Sequence, residues 1–195
     1  MTDVRYALPN DAEDVEATLV DAFLADPMMA WMLEDPDRPG HARPDDLAKV
    51  MDVERRTYGP CGHSYTIPGK AAALWAPPGH RPDLTEFLEV FGALADPERV
   101  GGAGKKFMLI GEYEPEEPHF YLHMIGARDS ARGQGLGSLL MDRVHAECDA
   151  ERIPAYLEAS TERSAALYER HGYERLATIE FAPSIALRPM LRPPQ

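Results

Sequence analysis

The chain has 195 residues, of which 44% are hydrophobic and 27% charged, and its formal net charge is −13. A length and composition of this kind are those of one globular domain with a sizeable core. Proteins that bind a phosphate backbone carry basic faces, so the negative charge argues against a nucleic-acid partner. We therefore expect any anionic ligand to be held by local geometry rather than by the overall charge of the protein.

The two cysteines, Cys61 and Cys148, are far apart, and neither lies in a spacing typical of metal ligands. We expect free thiols, a reducing compartment and no metal centre. Neither cysteine has the sequence context of a nucleophile with an adjacent base, so covalent catalysis is not expected. Because no apolar leader and no membrane-length apolar run is evident, the sequence predicts a cytoplasmic protein without a membrane partner.

Hydrophobic periodicity and turn residues predict alternating helices and strands along the first half of the chain. In chain order these are a strand at 3–8, a helix capped by Asn10, a helix at 44–58, strands at 61–67 and 71–76, and one or two helices within 83–111 that break near Asp96.

The second half continues the alternation after an acidic connector at 112–118, which we expect to be a solvated loop. The predicted elements are a strand at 119–127, a glycine-rich loop, a helix to about 150, a strand at 154–160, a helix at 162–171, and strands at 173–182 and 184–191. The pattern predicts a mixed α/β domain with antiparallel hairpins at both ends.

The glycine-rich loop, RGQGLGS, places Gly133, Gly135 and Gly137 at alternate positions directly before a predicted helix. The dinucleotide fingerprint GxGxxG is not matched, and neither is the phosphate-loop pattern GxxxxGK[ST]. A tight turn packed without a ligand is one interpretation. The other is a diphosphate site, because glycines allow close approach and a helix N-terminus offers unpaired amides.

A known signature agrees with the second interpretation. Arg132-x-x-Gly135-x-Gly137, set between a strand and a helix, resembles the [Q/R]-x-x-G-x-[G/A] motif of the GNAT superfamily of acyl-CoA-dependent N-acetyltransferases.

A second segment strengthens this resemblance. TERSAALYERHGYE, residues 161–174, is similar to the family pattern N-x-x-A-x-x-x-Y-x-x-x-G-[FY], with Tyr168 and the Gly-Tyr at 172–173 in register. Thr161 replaces the usual Asn and Ser164 the usual Ala, so one polar contact to the cofactor is in question.

The resemblance covers about residues 70–182, and the AALWAPPG segment is also similar to the puromycin N-acetyltransferase branch. It implies an α/β (α+β) fold with a mixed, mostly antiparallel central sheet of about seven strands, helices on both faces, and a splay between the fourth and fifth strands. We expect one domain over 1–195, in which 1–112 is mainly the acceptor-side half and 113–195 holds the acetyl-CoA-binding core and the C-terminal strands.

Acetyl-CoA is the implied co-substrate, and no metal is implied. The resemblance assigns its binding to the backbone of the fourth strand, the glycine loop and the start of the last helix. These residues are Met124, Ile125, Ala127, Arg132, Gly133, Gln134, Gly135, Leu136, Gly137, Ser138, Thr161 and Ser164. Gly126 agrees with a close approach of the cofactor there, and equally with a simple glycine at a strand end.

The implied activity is direct transfer of acetyl to a primary amine, for which a thiolate must gain a proton and an ammonium must lose one. Tyr168 is the candidate acid, since a phenol with a pKa of about 10 is protonated at neutral pH. A tyrosine that merely packs on a helix face is the alternative. His123 is the first candidate base, because YLHMIGA also resembles the arylalkylamine N-acetyltransferases at this position.

Other bases remain open: Glu158, then Glu112, or deprotonation through water. His119 is expected to be a surface residue at the strand start. Strand alternation predicts two faces, one with His119, Tyr121 and His123 and the other with Phe120, Leu122 and Met124.

The segment DPMMAWMLEDP, residues 26–36, is rich in methionine and contains Trp31, which predicts an adaptable apolar wall for the acceptor. Packing of this segment on the core is the alternative. The function predicted is acetyl-CoA-dependent N-acetylation of a small, hydrophobic or aromatic amine. Two other functions stay open: a protein or peptide N-acetyltransferase, and a non-catalytic acyl-CoA-binding sensor. A homodimer is allowed but not indicated.

Overall fold

The computed structural model describes residues 3–195, so residues 1 and 2 of the predicted domain lie outside the described residues. The strands are β1 (Arg5–Tyr6), β2 (Ser64–Ile67), β3 (Ala71–Ala76), β4 (Phe120–Ala127), β5 (Ala155–Ala159), β6 (Glu174–Arg175), β7 (Ile179–Ala182) and β8 (Ile185–Arg192). The helices are α1 (Ala12–Phe23), α2 (Pro27–Met32), α3 (Pro44–Tyr58), α4 (Thr85–Leu94), α5 (Pro97–Gly111), α6 (Leu136–Glu151) and α7 (Glu162–Arg170).

The strands form one sheet in the order β1-β2-β3-β4-β5-β8-β6, and β7 pairs with β8. All pairs are antiparallel except β4 with β5. Buried side chains of α6 and α7 cover one face of the sheet, and those of α1, α2, α3 and α5 cover the other. The predicted mixed sheet with helices on both faces is therefore confirmed.

Pairing between β4 and β5 is short. Phe120, Tyr121 and Leu122 pair with the three residues 155–157, and no later residue of either strand is in this ladder. β4 continues to pair with β3 as far as Ala127. The two central strands thus separate from His123 and Glu158 onward, which is the predicted splay.

His123 is also the extra residue of a β-bulge. Leu74 lies opposite Met124, whereas the next residue, Trp75, lies opposite Leu122, so His123 has no partner on β3. An extra residue reverses the alternation of side chains along the strand. Met124 accordingly packs in the cluster under α1 and α3, while Leu122 packs under α6. The prediction that Met124 shares a face with Leu122 is wrong for this reason.

The helix at 44–58 and the break near Asp96 are confirmed. The prediction of one strand at 173–182 is wrong, since the segment divides into β6 and β7, which brings the strands among residues 3–195 to eight. Asn10 is not the cap of α1: it lies in a short 3-10 turn, and the carboxylate of Asp11 accepts hydrogen bonds from Leu8 N at 2.7 Å and from Arg5.

Among the described residues, no helix combines the length and apolar character needed to cross a membrane.

Candidate active site

The glycine loop connects β4 to α6. A short 3-10 turn at Asp129–Ala131 is followed by Arg132 and then by Gly133 and Gly135, both with φ of +75°. Side chains disfavour this left-handed conformation by about 1–2 kcal/mol, so the turn requires glycine at these two positions. Gly137 lies in the first helical turn, with Leu167 as its nearest side-chain neighbour.

Six consecutive amides, from Gly133 to Ser138, have no hydrogen-bond acceptor within residues 3–195. They comprise the loop and the first turn of α6, whose dipole places partial positive charge at this end. The arrangement therefore offers main-chain donors to an anion in a protein that is acidic overall.

The side chains of this loop are bound to the protein. Arg132 forms an ion pair with Asp129 at 2.9 Å and donates to the carbonyl of Ala22 at 3.2 Å. Gln134 reaches the carbonyl of Ser130 at 3.5 Å. Because these side chains have protein partners, the free donors of the loop are its main-chain amides.

Thr161 and Ser164 form a reciprocal cap at the start of α7. The hydroxyl of Thr161 accepts from Ser164 N at 3.0 Å, and the hydroxyl of Ser164 accepts from Thr161 N at 3.2 Å. Thr161 thus performs the capping task for which Asn, Ser and Thr are suited. The departure from the family pattern has this structural explanation, and cofactor contact by the two side chains remains a prediction.

The predicted pantetheine strand is the part of β4 beyond the separation from β5. Met124, Ile125 and Ala127 pair there with β3 alone. Gly126 has a packing explanation, because a Cβ at this position would overlap Cβ of Ala22 on α1. Close helix packing is sufficient to account for that glycine.

Where the strands separate, three polar side chains are in contact. The hydroxyl of Tyr121 donates to Oε2 of Glu158 at 2.9 Å. Nδ1 of His123 lies 3.3 Å from the same hydroxyl. The structure therefore brings the two candidate bases, His123 and Glu158, together through Tyr121.

A fourth member, Glu54, comes from α3. Its Oε2 lies 2.8 Å from Nε2 of His123, and the Glu54 side chain is 2% exposed. The distance is that of an ion pair, but the ring N–H is not aligned with the oxygen, and neither atom has another hydrogen-bond partner among the described residues. Tyr58, one turn later on α3, stacks on the imidazole with centroids 4.0 Å apart.

Sequence reasoning missed Glu54. The signal was present, because Leu47, Val50, Met51 and Tyr58 predict a buried face of the helix and Glu54 lies on it. A carboxylate among such positions is costly unless it is partnered, which makes it a candidate functional group.

Burial shifts the acidity of this cluster. It raises the pKa of the Glu158 carboxyl, against the opposing effect of the hydrogen bond from Tyr121. Burial, together with the charge of Glu158, raises the pKa of Tyr121 well above its usual range. A carboxyl group with a raised pKa is a better proton acceptor than an ordinary one, so the cluster can accept and pass on a proton.

Tyr168 lies on α7 with 7% of its surface exposed. Burial, with a smaller effect from the charge of Asp26, raises the pKa of its phenol, which stays protonated at neutral pH. Asp26 caps α2 by accepting from Met28 N and also accepts from the hydroxyl of Ser160 at 2.5 Å. This contact joins the start of the predicted acceptor segment to the end of β5.

Aromatic side chains of three elements meet beside α2. Trp31 packs edge-on against Phe181 of β7, with centroids 6.1 Å apart. The ring centroid of Phe107 on α5 lies 4.8 Å from the ring centroid of Phe181. The segment predicted to line the acceptor is therefore in contact with β7, and α5 adds a third aromatic ring that the sequence did not indicate.

Other predicted residues lie elsewhere or in different surroundings. Glu112 follows α5 and is exposed. The prediction that His119 is a surface residue is wrong: the residue is 8% exposed, and its Nε2 lies 3.5 Å from Oε1 of Glu114.

The prediction that no cysteine has an adjacent base is also wrong, since Sγ of Cys61 lies 2.9 Å from Nε2 of His80. The adjacency arises because the chain turns back after β3.

Neither thiol is activated. Burial raises the pKa of Cys61, and it raises the pKa of Cys148 to about 12. A nucleophilic cysteine requires the thiolate, so the geometry gives no support to covalent catalysis.

A family comparison agrees with this fold and this loop. The model of the acetyltransferase (GNAT) family matches residues 48–173, from within α3 to the tyrosine after α7. The chain belongs to this family and is an N-acetyltransferase.

Three relatives illustrate the likeness. The chain is 24% identical over 184 residues to an uncharacterised N-acetyltransferase of Schizosaccharomyces pombe, over 84% of this chain and 70% of the relative. An acetyltransferase of Corynebacterium glutamicum related to the histone acetyltransferase HPA2 is 26% identical, covers 100% of this chain and 98% of its own, and has a TM-score of 0.70. Arylalkylamine N-acetyltransferase 2 of Aedes aegypti shares the fold at 14% identity, with 99% of each chain covered and a TM-score of 0.64.

Proposed function

We propose that the protein transfers acetyl from acetyl-CoA directly to the primary amine of a small, hydrophobic or aromatic molecule. The observation that carries this proposal is the coincidence of two features at one point. β4 parts from β5 after Leu122, and the contact series Glu158–Tyr121–His123–Glu54 begins there.

Acetyl-CoA supplies an activated acetyl thioester. The six free amides from Gly133 to Ser138 suit its diphosphate, because main-chain donors at a helix start favour phosphate. The β4 backbone at Met124, Ile125 and Ala127 suits the pantetheine, since its far side has no strand partner. The residues present thus fit the cofactor that the family uses.

The acceptor enters as an ammonium and must lose a proton before it can attack. We assign proton acceptance to the Glu158 carboxylate, whose raised pKa suits it to the task. The Tyr121 hydroxyl connects this group to His123, and Glu54 balances a proton held on the imidazole. In this scheme His123 holds or passes the proton and Glu158 takes it from the amine.

The departing thiolate requires a proton, and Tyr168 is assigned as its donor. The phenol is protonated at neutral pH because burial raises its pKa. After donation, the phenolate would regain its proton from water or the amine side of the cleft. The negative charge of Asp26 also raises the pKa of Tyr168, because it destabilises the phenolate, and it therefore favours reprotonation of the phenol.

The acceptor's apolar part is assigned to the wall formed by Trp31, Phe107 and Phe181. Aromatic rings contribute large apolar area and favour ring-bearing ligands. The buried carboxylates of Glu54 and Glu158 favour a cationic amine. One fold neighbour, the arylalkylamine enzyme, is named for an acceptor of this kind.

A non-catalytic acyl-CoA sensor would not need the Glu54–His123–Tyr121–Glu158 contacts. Buried ionisable groups that are not fully paired reduce the stability of the fold. They are therefore typical of sites where the groups take part in function. Two of these atoms, Oε2 of Glu54 and Nε2 of His123, lack an aligned hydrogen bond among the described residues. Turnover is thus the better-supported function.

The test is thiol release from acetyl-CoA, measured over a panel of puromycin, arylalkylamines, aminoglycosides and peptides. We expect release with aromatic amines, and strongly reduced release by Glu158→Gln with the same amine. Faster thiol release with peptides than with aromatic amines would show that the acceptor is a peptide or protein and not a small aromatic amine. Binding of acetyl-CoA without release for any amine would favour the sensor, and absence of binding would overturn the cofactor assignment.

A further inference from the structure

A group of metal-ligand side chains lies outside the proposed cleft. Asp142, His145 and His171 each offer one ligand atom, and these atoms lie within 4.8 Å of one another. Asp142 and His145 are one turn apart on α6, while His171 directly follows α7. The cluster therefore joins two elements that are distant in the sequence.

Each imidazole is oriented by a hydroxyl group. Nε2 of His145 lies 3.0 Å from the hydroxyl of Tyr173, and Nε2 of His171 lies 2.9 Å from Oγ of Ser138. In metal sites the second ring nitrogen is commonly bound in this way, which fixes the ring and its tautomer. Nδ1 is then the nitrogen left for a ligand on each ring.

One of the ligand-atom spacings in the cluster agrees with tetrahedral coordination. Nδ1 of His171 lies 3.3 Å from Oδ1 of Asp142. Two ligand atoms at about 2.0–2.1 Å from a Zn²⁺ ion are roughly 3.3 Å apart at tetrahedral angles. The Asp142 side chain is 61% exposed and can rotate to complete the set.

A positive charge near the cluster is neutralised by an ion pair, so it does not repel a bound cation strongly. Arg192 lies near His145, but its guanidinium forms two hydrogen bonds with the carboxylate of Asp149, at 2.7 and 2.9 Å. The net charge that this neighbouring pair presents to the cluster is therefore small.

We propose that Asp142, His145 and His171 bind one Zn²⁺ ion, with water as the fourth ligand. Two imidazoles and a carboxylate are ligands that zinc accepts. The ion would fix the end of α7 to α6, and through His171 it would fix Ser138 in the first turn of α6. This site is separate from the proposed acetyl transfer, and its role is to hold the glycine loop rather than to take part in chemistry.

The test uses the full chain after chelation and dialysis. Co²⁺ and Zn²⁺ are titrated separately, and we expect one ion per chain by calorimetry, a visible absorption band typical of tetrahedral Co²⁺, and a higher Tm with Zn²⁺. Asp142→Asn and His171→Gln should each lose the Co²⁺ band and the Tm increase. Both residues are at least partly exposed, so the variants should fold, which far-ultraviolet circular dichroism of the metal-free proteins checks.

Two variants separate this site from others. His41→Gln carries the same substitution on a distant loop and should bind like the wild type. Cys61→Ser removes a thiol that lies against an imidazole outside the cluster, that of His80, and should also bind like the wild type. Loss of binding in Cys61→Ser alone, binding unchanged in Asp142→Asn and His171→Gln, or no binding at micromolar metal would each overturn the proposal.

Discussion

Nε2 of His123 and Oε2 of Glu54 lie 2.8 Å apart, although 68 residues separate them between α3 and β4. His123 and Tyr121 share the face of β4 that α3 covers. There Tyr58 stacks on the imidazole and Glu54 faces it. Through Tyr121 the same ring is linked to Glu158 at the point where the central strands separate. This relationship underlies the first prediction.

Glu158→Gln should lower kcat by about 100-fold or more, because general-base catalysis contributes at least that much. Burial raises the pKa of Glu158, so wild-type kcat/KM should fall as the pH decreases through that raised pKa and the carboxylate is protonated. The variant should lose this acidic limb. The measurement is a pH–rate profile, with the exposed Glu89→Gln as the matched control. A normal rate and profile in Glu158→Gln would move the base elsewhere.

Tyr168→Phe should lower kcat by at least tenfold and leave the Kd of acetyl-CoA nearly unchanged, because only the proton donor is removed. Steady-state kinetics and calorimetric titration measure the two quantities. Tyr65→Phe, a buried tyrosine on the distant β2, is the control and should retain its rate. Full turnover by Tyr168→Phe would show that another group protonates the thiolate.

Gly135→Ala should destabilise the protein by about 1–2 kcal/mol, since alanine must adopt the φ of +75° found there. It should also weaken acetyl-CoA binding by disturbing the amides at the start of α6. Gly104→Ala makes the same change at an exposed position within α5, where nothing lies within 4 Å of the new Cβ, and should stabilise the protein by about 0.5–1 kcal/mol. Chemical denaturation measures the free energy of unfolding of both variants. Equal changes in this free energy would contradict the left-handed conformation assigned to Gly135.

Trp31→Ala should raise KM for aromatic amines several-fold to tens-fold and change KM for a small aliphatic amine little. The ring packs on Phe181 and supplies apolar area, which distinguishes acceptors by about 1–3 kcal/mol. Leu88→Ala, 64% exposed on α4, serves as the control. A uniform loss for all amines would indicate a structural role of Trp31 instead.

Asp149→Asn should destabilise the protein by about 1–3 kcal/mol at neutral pH, because it leaves the buried Arg192 guanidinium without its anion. The hydrogen bond from Arg192 lowers the pKa of Asp149 from 3.8 to about 2. A lowered carboxyl pKa gives stability that is complete above the unfolded value and is lost as the pH falls through the folded value. The difference in Tm between the two proteins should therefore shrink between about pH 4 and pH 2.

The sequence alone determined the local elements and the loop. The apolar spacing of 44–58 predicts α3 with its observed bounds, and the alternate glycines at 133–137 predict a tight turn into a helix. Such features depend on side-chain periodicity and on the backbone preferences of single residues, which neighbouring residues specify. The family signature then added an expected role for Tyr168 and the splay between the central strands.

Tertiary structure decided which distant residues meet. The bulge at His123 reverses the facing of Met124, and the packing of α3 places Glu54 against the imidazole. Alternation along one strand predicts neither outcome. Likewise, Trp31, Phe107 and Phe181 form one wall only because α2, α5 and β7 pack together. Local sequence patterns encode the period of an element, whereas the partners of a side chain depend on how elements pack, and the chemistry of this cleft depends on those partners.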